Sequence, residues 1–93
     1  MEIVNRAELE RFVQNHARAR SSITEWTNNV NQAKWTSFSN VRQMYRSADY
    51  VAGLIVFNVG GNNYRIIARP DYQKQQSFIV SVMTHAEYGK WKP

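Results

Sequence analysis

Apolar positions in the first third of the chain recur at helical spacing. Leu9, Phe12, Val13 and His16 share one face of a first pattern. Ala19, Ile23, Trp26, Val30 and Ala33 then recur at steps of four and three, while Arg18, Arg20, Glu25, Asn29 and Gln32 point elsewhere. Asn5, with Glu8 three positions on, has capping-box spacing and predicts the first helix start. Asn15-His16-Ala17-Arg18 contains no Gly or Pro, so the two patterns fit either a helical hairpin or one bent helix. The polar, Ser-rich passage Thr36-Ser37-Phe38-Ser39-Asn40 reads as a crossing segment, and Val41 to Tyr45 as one further helical turn.

From Leu54 the pattern changes. Leu54-Ile55-Val56-Phe57-Asn58-Val59 is rich in β-branched and aromatic residues, and Gly60-Gly61 beside Asn62-Asn63 supplies the positive φ angles of a tight turn, so a hairpin is expected. Its return strand runs from Tyr64 to about Arg69 and stops at Pro70-Asp71, and a third strand spans Ser77 to Met83. Alternation turns Tyr64, Ile66 and Ala68 one way and Arg65, Ile67 and Arg69 the other. With helices on the first face, both arginines lie on the open face, about 13 to 14 Å apart by strand rise. Helices first and sheet second make the class α+β: two N-terminal helices on a small, mainly antiparallel sheet. Thr84-His85-Ala86-Glu87-Tyr88 adds a short C-terminal helix, with Thr84 as cap and Glu87 three residues on.

Composition narrows this. Ninety-three residues predict one domain, 1–93. With no cysteine there is no disulfide and no thiolate ligand for zinc, which points to a reducing cytoplasm. Met1 to Arg6 lacks the shape of a secretory signal, and no apolar run approaches the roughly 20 residues that span a bilayer, so no membrane association is expected. The net charge of +5 favours polyanionic partners.

The candidate chemistry clusters late in the chain. Arg65 and Arg69 can grip phosphates, because a guanidinium stays charged and offers paired donors; the plain alternative is two solvated strand residues. His85, at a strand-to-loop junction, can accept a 2′-hydroxyl proton or donate one to a leaving 5′-oxygen, or simply cap. Tyr88, one helical turn on, can stack on a base or join in proton transfer, and otherwise packs under the C-terminus. Lys90, Trp91 and Lys92 extend the cluster with charge and a stacking surface. His16 and His85 are the only histidines and show no metal-ligand spacing, so neither a metal nor another cofactor is expected. Together these side chains suit metal-free RNA cleavage.

Phe57-Asn58-Val59-Gly60-Gly61-Asn62-Asn63-Tyr64-Arg65-Ile66-Ile67-Ala68, followed by Val82-Met83-Thr84-His85-Ala86-Glu87-Tyr88, resembles the HigB family of bacterial toxins, with both motifs in order and correctly spaced. The resemblance implies a RelE-like α+β fold and an mRNA interferase of a type II toxin–antitoxin system, cutting messenger RNA on translating ribosomes without a metal. It also implies a HigA-like helix-turn-helix antitoxin whose complex with the toxin binds operator DNA. By position, Arg65 matches the arginine after the family's Gly-Gly-Asn turn, and His85 and Tyr88 match its Thr-His-x-Glu-Tyr element. Arg69, Lys34, Lys90 and Lys92 are expected along the RNA path. One departure stands out: the family often carries Asp after the tyrosine, where this chain has Gly89. Two other readings compete, a non-catalytic RNA- or ribosome-binding inhibitor of translation and a protein-interaction domain.

Overall fold

Burial follows the helical periodicity of residues 19–33 closely: Ala19, Ile23, Trp26, Val30 and Ala33 are all buried in the main core. The computed structural model describes residues 1–93. Its elements in chain order are β1 (Glu2–Val4), α1 (Ala7–Asn15), a 3₁₀ turn (Ala17–Ala19), α2 (Arg20–Gln32), α3 (Phe38–Met44), β2 (Asp49–Val51), β3 (Leu54–Val59), β4 (Tyr64–Asp71), β5 (Gln76–Thr84) and α4 (His85–Tyr88). The five strands form one sheet in the order β1-β5-β4-β3-β2, antiparallel except for the parallel pair β1 and β5. The class is α+β, with helices on one face and a short helix after the last strand, as the pattern predicts.

Two helices form rather than one bent helix. The break is at His16, whose φ of −139° and ψ of 70° leave the helical region without help from glycine or proline. Its ring stacks on Phe12 at 4.0 Å, and Nδ1 lies 3.1 Å from the Phe12 carbonyl oxygen. A carbonyl can only accept, so Nδ1 carries the proton.

Three sequence expectations need correction. Asn5 does not cap α1: its φ is 70°, the cap position is Arg6, and the Asn5 side chain donates to the Ile79 carbonyl at 3.0 Å. The unexpected strand β1 is the reason, because the chain must turn sharply between β1 and α1, and asparagine tolerates the left-handed region. Pro70 does not end β4, which runs on to Asp71. Pairing with β3 stops at Ala68, so β4 has a free side there, where a sheet accepts proline. The single helical turn expected around Val41 is α3, started at Phe38 by the Ser37 side chain accepting from the Asn40 amide.

A bulge in β5 shapes the open face. Ile67 pairs with Ser81 but Ala68 with Ile79, leaving Val80 as the extra residue. Ile79 and Val82, three apart, therefore both join the helix-side core, while Val56, Ile67 and Met83 form a second small cluster against Leu54, Val80, Tyr88 and Trp91.

Candidate active site

The loop between β3 and β4 needs consecutive left-handed residues, and Gly60, Gly61 and Asn62 supply φ angles of 64°, 62° and 76°. It delivers Tyr64 opposite Thr84 and Arg65 opposite Met83 in the β4–β5 ladder. His85, the residue after Thr84, thus starts α4 beside Arg65 although twenty positions separate them, and its amide donates to the Asn63 carbonyl at 2.8 Å. Strand pairing brings the two sequence motifs into one site.

Arg65 lies on the face the alternation predicts, but it is not a solvated strand residue: it is 5% exposed. One terminal nitrogen, Nη1, donates to the carbonyls of Asn62 and Tyr64 at 3.0 Å each. The other, Nη2, is 2.7 Å from His85 Nδ1. The Tyr88 ring covers the guanidinium at 5.4 Å, and Trp91 stacks on Tyr88 at 5.7 Å. Arginine has no acceptor, so Nδ1 must accept and the neutral His85 ring carries its proton on Nε2.

Every partner of this guanidinium is uncharged. The one ion pair in the structure joins Arg11 and Glu8, far along the chain. Burying a charge is costly unless an opposite charge offsets it, so an almost buried arginine held only by carbonyls and an imidazole is a strong site for an incoming anion. Its Nε–H and its second Nη2 proton have no hydrogen-bond partner within the protein.

A reciprocal capping box holds α4 in register. The Thr84 hydroxyl accepts from the Glu87 amide at 3.2 Å, and the Glu87 carboxylate accepts from the Thr84 amide at 2.8 Å. The Thr84 backbone and hydroxyl bonds lower the Glu87 pKa below the usual carboxylate value. A carboxyl with its folded pKa below its unfolded one stabilises the fold above the ordinary Glu pKa of about 4.3, and that contribution fades as pH falls through the lowered value. Acidification below the ordinary carboxylate range should therefore loosen α4 before the main core, shifting the Thr84 and Glu87 amide resonances together. Glu87→Gln should lack that acid transition; if it titrates like the unaltered chain, the box is not the cause.

The other predicted residues sit further off. Arg69 is exposed on the same strand beyond the bulge, opposite Phe78, itself 41% exposed. Lys90 and Lys92 are exposed in the tail past α4. Lys34 is not brought to the cluster: it borders a hollow with Met1, Gln32 and Gln75, next to the start of β5. His85 follows the other end of that strand, about 27 Å away at the usual rise. Gly89 has helical angles, φ −59° and ψ −22°, and a Cβ there would meet only the Ala86 carbonyl at 3.4 Å. The backbone does not require glycine, so the departure from Asp is a free choice, and in this chain Arg65 partners His85 Nδ1. Asn62 and Asn63 join the site through their carbonyls, which leave no side-chain signature in the sequence.

No cluster of three or more His, Cys, Asp or Glu side chains gathers in the structure, and no helix is long and apolar enough to cross a membrane. Over 91 residues the chain is 25% identical to the mRNA interferase toxin HigB of Escherichia coli strain K12, covering 95% of this chain and 88% of the relative. The mRNA interferase HigB proteins of Escherichia coli O157:H7 and Shigella flexneri match at the same identity and coverage. The model of the HigB toxin, described as the RelE-like toxic component of a toxin–antitoxin system, matches residues 19–91, a span that begins just before α2 and takes in both motifs and the aromatic cover over Arg65. By that match the chain belongs to the HigB toxin family.

Proposed function

We propose that this chain is a toxin that cuts messenger RNA, with Arg65, His85 and Tyr88 as its catalytic residues. The observation that carries the reading is the almost buried guanidinium without a carboxylate, hydrogen-bonded to the His85 ring and covered by Tyr88. A scissile phosphate is the anion this arrangement lacks. As phosphate oxygens take the Arg65 donors, the guanidinium lets go of Nδ1, and that lone pair is freed to accept the 2′-hydroxyl proton. The 2′-oxygen then bonds to phosphorus while the bond to the 5′-oxygen breaks, and the His85 imidazolium so formed gives a proton to the departing 5′-oxygen and returns to its neutral state. Arg65 stabilises the charge gathering on the equatorial oxygens, and Tyr88 offers a ring for a neighbouring base. The products are a 2′,3′-cyclic phosphate and a 5′-hydroxyl.

Arg69, Lys90 and Lys92 steer the polyanion towards this corner through long-range attraction. The reading extends to cutting on translating ribosomes in the cytoplasm, and to a HigA-like helix-turn-helix antitoxin that silences the toxin and carries the complex to operator DNA. The names of the curated relatives support the activity.

Expression with and without an adjacent repressor-like gene, followed by sequencing of RNA 5′ ends and identification of the terminal groups, tests the proposal. Growth arrest with new 5′-hydroxyl ends, relieved by the second gene, is the expected result. Arrest with intact messages would favour the rival reading, a protein that blocks translation by occupancy.

A further inference from the structure

On the helix side of the same sheet corner lies a hollow of about 560 Å³ that the proposed reaction does not use. His16, Arg18, Ser22, Asn63, Tyr64 and Thr84 line it, with Gly60 and Gly61. Its volume is within the about 300 to 1,000 Å³ of small-ligand sites. The hollow adjoins the candidate active site through backbone: Thr84 precedes His85, and the Asn63 carbonyl holds the His85 amide.

Contacts hold two of its walls in place. The His16 ring is stacked on Phe12 with Nδ1 committed to the Phe12 carbonyl, so Nε2 is left as an acceptor. Tyr64 meets Phe12 edge-on at 5.7 Å, and its ring lies directly against Gly60, where a Cβ would come within 2.7 Å of it. Glycine at this position therefore lets the tyrosine lie across the turn. Arg18 is exposed and in no ion pair. Glu87, the carboxylate next to Thr84 in space, is tied to it in the capping box. The hollow thus joins one free cation, an aromatic ring and several hydrogen-bonding side chains, the set by which proteins read an unpaired nucleotide.

We infer that this hollow is a second nucleotide subsite, taking the nucleotide next to the scissile linkage. Arg18 holds its phosphate, Tyr64 offers a ring to its base or sugar, and Ser22, Asn63 and His16 Nε2 contact the base edge. The inference rests on the proposed ribonuclease reading and extends it, because it makes the base beside the cut a determinant of where the toxin acts.

The test has two arms. In the first, the purified full chain is titrated with a single-stranded RNA hexamer carrying 2′-O-methyl groups, which cannot undergo 2′-attack, and backbone and ring NMR signals are followed. Shifts at His16, Arg18 and Tyr64 together with Arg65 and His85 are expected, and shifts confined to the Arg65 side would overturn the inference. In the second, cleavage of a defined message on translating ribosomes is compared for Arg18→Ala and Arg20→Ala, two variants that remove the same charge. Arg18→Ala should raise KM about tenfold, with the larger part of its effect in KM rather than kcat, and Arg18→Lys should recover part of it. Arg20→Ala, outside the hollow, should not change KM; equal effects of the two would reduce Arg18 to bulk charge and overturn the subsite. A chain that binds the hexamer in the hollow yet never cuts RNA would support the subsite and refute the ribonuclease.

Discussion

Substitution of His85 by alanine should lower RNA cleavage by about 10² to 10⁴, the usual cost of losing a positioned proton-transfer group, while the fold stays intact. The separation of the two effects comes from where the ring sits. His85 is exposed at the first position of α4, so truncating it opens no cavity, and the capping box that organises the helix uses Thr84 and Glu87 instead. Arg65 keeps its bonds to Asn62 and Tyr64 and loses only the imidazole. Single-turnover cleavage of a defined message on translating ribosomes, with a urea unfolding curve of the purified variant, measures both. A folded variant that still yields cyclic phosphate ends at the original rate would remove His85 from the proposed chemistry.

Phe57→Ala should cost about 3 to 5 kcal/mol, out of the about 5 to 15 kcal/mol that holds a typical domain folded. Phe57 is fully buried on β3. Trp26 and Tyr45 meet its ring edge-on at 5.2 and 5.3 Å, and Trp35 stacks near it at 6.0 Å. Three large rigid rings from α2 and from the segments flanking α3 cannot easily collapse into the space, so most of the void should persist. The loss is read as a lower urea midpoint at unchanged slope. A loss below about 1 kcal/mol would mean that the aromatic group repacks, contrary to the rigidity argued for it.

The same two regions show how much of the molecule was legible in the sequence. The aromatic core was readable in part, since Trp26 falls on a helical stripe and Phe57 in a β-branched run, signals that arise within a few residues. The capping box of Thr84 and Glu87 was readable for the same reason. β1 was not: three residues carry no detectable period, and that strand exists only because β5 offers an edge. The capping spacing of Asn5 is a local signal, and it is overruled by the turn that this strand demands. Charge alone groups Lys34 with the basic residues of the RNA path, but charge says nothing of position, and Lys34 falls at the opposite end of β5.

The amino-acid order by itself determined the longer helical and extended segments, the faces they turn inward, the left-handed turn at Gly60-Gly61 and the helix start at Thr84, because backbone sterics, periodicity and capping act over a few residues; the three-residue strands β1 and β2 lay outside its reach. Tertiary structure alone decided that Arg65 meets His85. Continued without the extra residue Val80, the register of Ala68 to Asp71 would set Met83 opposite Tyr64 and turn it to the helix face, since a slip of one residue reverses every side chain beyond it. Only the folded chain could also cover the guanidinium with Tyr88 and Trp91, because burial belongs to the packing of distant segments against one another.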